Sequence, residues 1–231
     1  MHLSKIEGEQ IAITDSLVKD PEIESYLKPF RDNIQKDLDS ILAYSADTYT
    51  KTDGEFNTAI GNFMADAVFS ESNPIFKSRT GHDIDMVLLN HGGIRSILSK
   101  GNVTKRTVFE LMPFENSVVV AALKGTQIEK MIRYLADTKK AHPVSKLKLV
   151  IDQNFDVVEE KINGNEIYED SIYYVATNDY LCNGGDNMSF FKPNDSVYVL
   201  NYKIRNVLMD KFMKLDTVNP KMDDRFIQIN R

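Results

Sequence analysis

The stretch Met86-Val87-Leu88-Leu89-Asn90-His91-Gly92-Gly93-Ile94-Arg95 decides how this chain is read. Four consecutive apolar residues, too few for a helix, read as a buried strand, and the glycine pair behind them reads as the turn into which the strand opens. The arrangement recurs where the β-rich run Ser171 to Thr177 empties into Asn183-Gly184-Gly185-Asp186. In open α/β sheets, strand ends of this kind are where ligands sit. Glycine lets backbone N–H groups approach a ligand closely while neighbouring side chains orient it. Arg95 offers a planar fork for a phosphate, and Asp186 accepts paired hydroxyls such as a ribose diol. Spacing alone also allows Gly92-Gly93 and Gly184-Gly185 to be plain tight turns. Neither belongs to a phosphate loop, since G-x-x-x-x-G-K-[ST] and G-x-G-x-x-G are both absent from the chain.

Outward from these turns the pattern alternates strand and helix. The β-branched run Ser117 to Lys124 is a strand between two capping signatures, Thr107-x-x-Glu110 and Thr126-x-x-Glu129, the second followed by Ile128, Met131, Ile132 and Leu135 at helical spacing. Lys146 to Ile151 starts as an alternating strand, and Ile162-Asn163-Gly164-Asn165 is a hairpin turn. Asp195-Ser196 reads as the start of a last helix with Leu200, Ile204, Val207, Leu208 and Phe212 inward, before a closing strand from Phe226 to Ile229.

Upstream, Thr58 to Ser70 is helical, and residues 5 to 14 look extended. Asp20-Pro21-Glu22 opens a longer helix whose apolar stripe, Ile23 through Leu42, runs to about residue 43, with Pro29 expected to kink or restart it. The polar loop Ser45 to Glu55 marks the expected domain edge. Residues 1–50 form an N-terminal extended segment and linker-like helix, and residues 51–231 one domain. The expected class is α+β, a mixed β-sheet flanked by helices with an N-terminal helical arm.

Composition bounds the function. The 231 residues carry 28 basic and 34 acidic side chains, a net charge of −6, and no dense basic run. That argues against binding long nucleic acids, which draws its affinity from neutralising phosphates. The longest apolar run, Val118 to Leu123, is far short of the roughly 20 residues of a membrane span. One cysteine, Cys182, excludes an intrachain disulfide. Met1 to Lys5 lacks the apolar core and cleavage site of a secretory signal.

The histidines His2, His82, His91 and His142 lie far apart, none in Asp-x-His or His-x-His, so a complete dinuclear metal site is not expected. Cys182 is a nucleophile only if His91 or Asp179 helps it; a buried structural thiol is the commoner state. Phe114, in Pro113-Phe114-Glu115-Asn116, and Tyr180 stand on loops from which aromatic rings can sandwich a nucleobase, although a loop aromatic taken singly is more often a lid on the core.

The series Gly61-Asn62-x-x-Ala65-Asp66-Ala67, Asn90-His91-Gly92-Gly93-Ile94-Arg95, Pro113-Phe114-Glu115-Asn116, Lys124-Gly125 and Thr177-Asn178-Asp179-Tyr180-x-x-Asn183-Gly184-Gly185-Asp186 closely resembles the C-terminal domain of the 5'-nucleotidase family. Order and spacing agree over about Ala59 to Phe191, and the helix from Asp20 to Leu42 resembles the one that joins the two domains in longer members. The resemblance implies a nucleotide-recognition component. Phe114 and Tyr180 would sandwich the base, Asp186 would accept the ribose hydroxyls, Asn90, Arg95 and Asn116 would position base, ribose or phosphate, and Gly92, Gly93, Gly184 and Gly185 would complete the nucleotide-binding set. It also implies that divalent metal belongs to a separate metallophosphatase chain and not to this one, and it favours a periplasmic or cell-surface location. Two departures stand out: Tyr180 occupies a position commonly Phe, and Gly54 stands seven residues before Gly61, where two-domain members carry an arginine shortly before the Gly-Asn pair. The second bears on phosphate binding more than on the base. Two other readings are a self-sufficient hydrolase built around His91, Cys182 or Asp186, and a binding module that has kept the fold without nucleotide affinity.

Overall fold

The computed structural model describes residues 5, 7–14 and 16–230. The chain divides between Asp39 and Ser40 into two units. The first contains one helix, α1 (Pro21–Leu38). The Asp20 carboxylate caps it, accepting from the amides of Glu22 at 2.9 Å and Ile23 at 3.3 Å, and Pro21 occupies the first turn, where no amide is needed. The helix runs through Pro29 unbroken and ends at Leu38, short of the expected residue 43. None of its residues is buried. Residues 5 and 7–14 form neither helix nor strand; Ile6 in that run, and His2, lie outside the described residues.

The second unit follows the order β1 (Ile41–Ser45), α2 (Ala59–Thr80), β2 (Met86–Leu88), β3 (Gly101–Thr104), α3 (Lys105–Leu111), β4 (Ser117–Lys124), α4 (Gly125–Thr138) and β5 (Val144–Ser145). It continues with β6 (Leu147–Ile151), β7 (Val157–Ile162), β8 (Ile172–Asn178), α5 (Asp179–Cys182), β9 (Ser196–Lys203), α6 (Ile204–Met213), β10 (Thr217–Val218) and β11 (Phe226–Gln228). The main sheet has five strands in the order β5-β2-β8-β4-β9; β2 and β8 are parallel and the other pairs antiparallel. Two three-stranded sheets, β10-β1-β3 and β11-β6-β7, accompany it. The class is therefore α+β.

Both faces of the main sheet are covered, so its central strands are continuous apolar runs and not alternating ones. On β4, Val118 and Val120 point into a core shared with α2 and α6, while Val119, Ala121 and Leu123 point into a second core shared with α4. On β2, Val87 joins the first core, and Met86 and Leu88 the second.

Several local expectations change in this setting. Ile41–Ser45 pairs with β3 and β10, burying Ala43 and Ser45 alternately, so the first unit ends before the boundary expected at residue 50. Helix α2 does not stop at Ser70 but passes through Pro74 to Thr80, because Phe76 is fully buried against Tyr174 and Tyr198, both at 5.3 Å between ring centroids. Ser196–Lys203 is strand, not helix. Its β-branched and aromatic residues Val197, Tyr198, Val199 and Tyr202 suit a pleated edge paired with β4, and the helix begins only at Ile204. The capping box sits at Thr104 and Thr107, one turn earlier than Thr107-x-x-Glu110 suggests. Helix α4 begins at Gly125 with no side-chain cap; the Gly125 amide bonds the Ser171 carbonyl instead, at 2.9 Å.

The Gly61-Asn62 and Asp66 motif clasps the C-terminal segment. Asn62 donates to the carbonyl of Lys221 at 3.1 Å, and Asp66 takes Arg225 bidentately at 3.0 Å on both oxygens. Asp66→Ala should therefore lower stability by about 2 kcal/mol, read from the urea midpoint, because a mostly buried guanidinium loses charged hydrogen bonds. Both cores lie within the second unit, so the chain expressed from Ser40 should unfold cooperatively in calorimetry. Starting instead at Ala46 removes β1, and that shorter chain should lose its cooperative transition.

Candidate functional site

The sheet topology gathers three loops at one end. Because β2 and β8 are parallel, their C-terminal ends lie together, and because β4 is antiparallel to β8, its N-terminal end joins them. The loops are Asn90–Arg95, Phe114–Asn116 and the α5 region through Asp186. They enclose a cleft of about 360 Å³. The first contributes Asn90, Gly92 and Arg95, the second Phe114 and Asn116, the third Tyr180 and Asp186. All six side chains singled out in the sequence meet there. Gly93, Gly184 and Gly185 do not line the cleft but lie in its turns.

The Asp186 carboxylate is the hub. Asn90 Nδ2 donates to one oxygen at 2.7 Å and the Tyr180 hydroxyl to the other at 2.9 Å. The extra hydroxyl of Tyr180 thus has an internal partner. Asp186 itself has φ +50. Its amide donates to the Tyr180 oxygen at 3.2 Å, and its carbonyl accepts from the Tyr134 hydroxyl at 2.8 Å. Gly185 packs so closely under the Tyr180 ring that a Cβ would collide with it and displace the ring from its place beside Asp186. Each carboxylate oxygen keeps a lone pair for a ligand hydroxyl. Phe114 is 39% and Tyr180 47% exposed, and the Arg95 guanidinium lies 5.8 Å from the Phe114 ring centroid.

The supports behind these loops are not legible in sequence. Arg205, buried at the start of α6, donates to the carbonyl of Pro113 at 3.2 Å, pairs with Glu115, and stacks over Phe109 at 4.1 Å. Lys203 and Arg205 together hold the Glu115 carboxyl down to about 2. No local motif marks Arg205, since its partners lie some ninety positions earlier. His142, 3% exposed, accepts from the His91 amide at Nδ1 (3.3 Å), and burial pushes its pKa down to about 4. His91, its own pKa lowered by burial, contacts the Lys51 carbonyl through Nε2 at 3.1 Å.

The other candidates lie elsewhere. His82 stacks on Tyr174 at 4.7 Å. Cys182 is buried, its thiol pKa raised by that burial, and it faces a different hollow beside Val197 and Val199. Among the described residues no three His, Cys, Asp or Glu side chains converge as metal ligands. His91 and His142 meet, but through an amide and a ring nitrogen, so this donor set does not fit a dinuclear centre. Among the described residues no helix is long and apolar enough to cross a membrane. At position 54, a Cβ would collide with the Asn57 carbonyl and the Met222 sulfur, so the backbone there excludes an arginine.

Fold and cleft define an α+β domain with a small-molecule-sized hollow at the strand ends. The profile of the family described as 5'-nucleotidase, C-terminal domain, matches residues 38–193, and the chain belongs to that family. It is 27% identical over 240 residues to the trifunctional nucleotide phosphoesterase protein YfkN of Bacillus subtilis, covering 95% of this chain and 16% of that one. It is 25% identical to an apyrase of Tabanus yao, covering 98% and 45%. In fold it is similar to a 5'-nucleotidase precursor of Thermus thermophilus, with a TM-score of 0.75 at 21% identity over 90% of this chain and 43% of that one. The chain thus spans less than half the length of these relatives.

Two outcomes follow from the supports. Arg205→Met should cost about 1–2 kcal/mol of stability and speed amide exchange in the Phe114 loop, measured by mass spectrometry. For His142, the unfolded imidazole titrates near 6.5 and the folded one near 4. Between these values the unfolded chain binds the extra proton, so stability falls as pH drops through that window, by about 3 kcal/mol in total. His142→Gln should flatten that part of the profile in denaturant titrations at stepped pH.

Proposed function

We propose that the cleft binds the nucleoside end of a nucleotide, as the recognition component of a 5'-nucleotidase-type phosphomonoester hydrolase whose metal chemistry a separate metallophosphatase chain supplies. The observation that carries this reading is the convergence of two exposed rings, Phe114 and Tyr180, on one cleft with the Asp186 carboxylate and the Arg95 guanidinium. A base stacks between the rings, the ribose hydroxyls bond Asp186, and Arg95 with Asn90 and Asn116 orients the remaining polar edges. Family membership supports it, as do the relatives, a nucleotide phosphoesterase, an apyrase and a 5'-nucleotidase precursor. Because Gly54 excludes the arginine of two-domain members, Arg95 is the cation of the cleft lining, and affinity rests on base and ribose more than on phosphate.

Calorimetric titration with adenosine tests the cleft. Phe114→Ala and Tyr180→Ala should each cost about 1–3 kcal/mol of affinity. Asp186→Asn should weaken adenosine more than 2',3'-dideoxyadenosine, since only adenosine presents the diol. No binding by the wild type at millimolar adenosine refutes the assignment. Incubated alone with AMP and divalent metal, the chain should show no multiple turnover; turnover that survives repurification points to a self-sufficient hydrolase.

A further inference from the structure

We propose that His142 is a positioning residue of this cleft, holding the Asn90–Arg95 turn by accepting the His91 amide at Nδ1 as the neutral Nε2–H tautomer; its effect on ligand binding rests on the nucleoside reading above. The strand ladder runs out just before this turn. Strands β2 and β5 pair at Val87 with Ser145 and Leu88 with Val144, and the Leu89 amide bonds the Pro143 carbonyl at 2.9 Å. Beyond that rung the chain turns into the cleft. The amides of Gly93 and Ile94 bond back to the carbonyls of Asn90 and His91 within the turn. The His91 amide is met by the imidazole of His142, which takes over from the main chain at the point where Asn90 must aim Nδ2 at Asp186.

His142 is a poor residue for stability alone. An Nδ1 that accepts leaves the proton on Nε2, and that atom is buried without a partner. Burial, helped by the charges of His91 and Lys140, keeps the imidazole neutral against Asp186 and the Leu89 carbonyl, which favour the proton, and the Tyr134 ring lies at 5.7 Å. A phenyl ring would fill the space without an orphan donor, so what the imidazole supplies is the acceptor under the turn.

The test uses the full chain, with His142→Phe and His142→Gln. Long-range proton–nitrogen spectra of the wild type at neutral pH should show the Nε2–H tautomer, and the His91 amide should be protected from exchange. In His142→Phe that protection should fall, with thermal stability at neutral pH unchanged or higher, and adenosine should bind about tenfold more weakly, the loss of one oriented hydrogen bond. His142→Gln, whose amide oxygen can accept, should restore protection and affinity. An Nδ1–H or cationic imidazole at neutral pH overturns the proposal, as does a His91 amide equally protected in both variants. Should His142→Phe not fold, the wild-type spectrum and the glutamine variant decide. If the wild type binds no adenosine, the nucleoside reading fails, while the tautomer and the His91 protection still settle whether His142 holds the turn.

Discussion

The constraint on which this structure depends is the burial of β4 on both faces. A strand that must satisfy one core with Val118 and Val120 and another with Val119, Ala121 and Leu123 cannot slip its register by one residue without exchanging the two sets. That register runs unbroken from Val118 opposite Asn178 to Lys124 opposite Ile172. It places Ser117 and the loop before it beside the end of β8, where the Ser117 amide bonds Asp179 at 3.2 Å. The Phe114 loop and the Tyr180 loop are therefore neighbours because two hydrophobic cores pin one strand. The Asn90 turn joins them because β2 runs parallel to β8.

Within that frame the cleft is organised around charge. Asp186 is satisfied by Asn90 from one loop and by Tyr180 from its own, so two of the three loops are tied by a single carboxylate. The third is held from behind by Arg205, whose guanidinium bonds the Pro113 carbonyl and the Glu115 carboxylate while its plane covers Phe109. A nearly buried arginine fixed on three sides is a stiff support, and it leaves the Phe114 ring free to face the cleft.

Much of the cleft was legible in the sequence because its residues sit in short local patterns. Asn90 through Arg95 and Asn183 through Asp186 are each a strand end followed by two glycines, and glycine is the local signature of a close backbone approach. Gly185 under the Tyr180 ring shows why. Arg205, Tyr134 and His142 carry no such signature. Each acts on a residue far off in the chain, and a helical arginine, a helical tyrosine and a lone histidine look the same whether they support a site or not. The misread elements have a related cause. Ser196–Lys203 has both a capping-like start and a β-branched body, and only the free edge of β4 selects the strand. Ile41–Ser45 continues a helical stripe on paper, but pairing with β3 and β10 overrides it.

Apolar runs, glycine turns and linked motifs are local, so the α+β class, the three loops and the six side chains that line the cleft were readable from the sequence. Tertiary contacts alone bring the Asn90 amide to the Asp186 carboxylate, set Arg205 behind the Phe114 loop, and place a buried imidazole under the Asn90 turn. The physical reason is range. Propensity and periodicity act over a few residues, whereas these hydrogen bonds join positions from about fifty to almost one hundred residues apart.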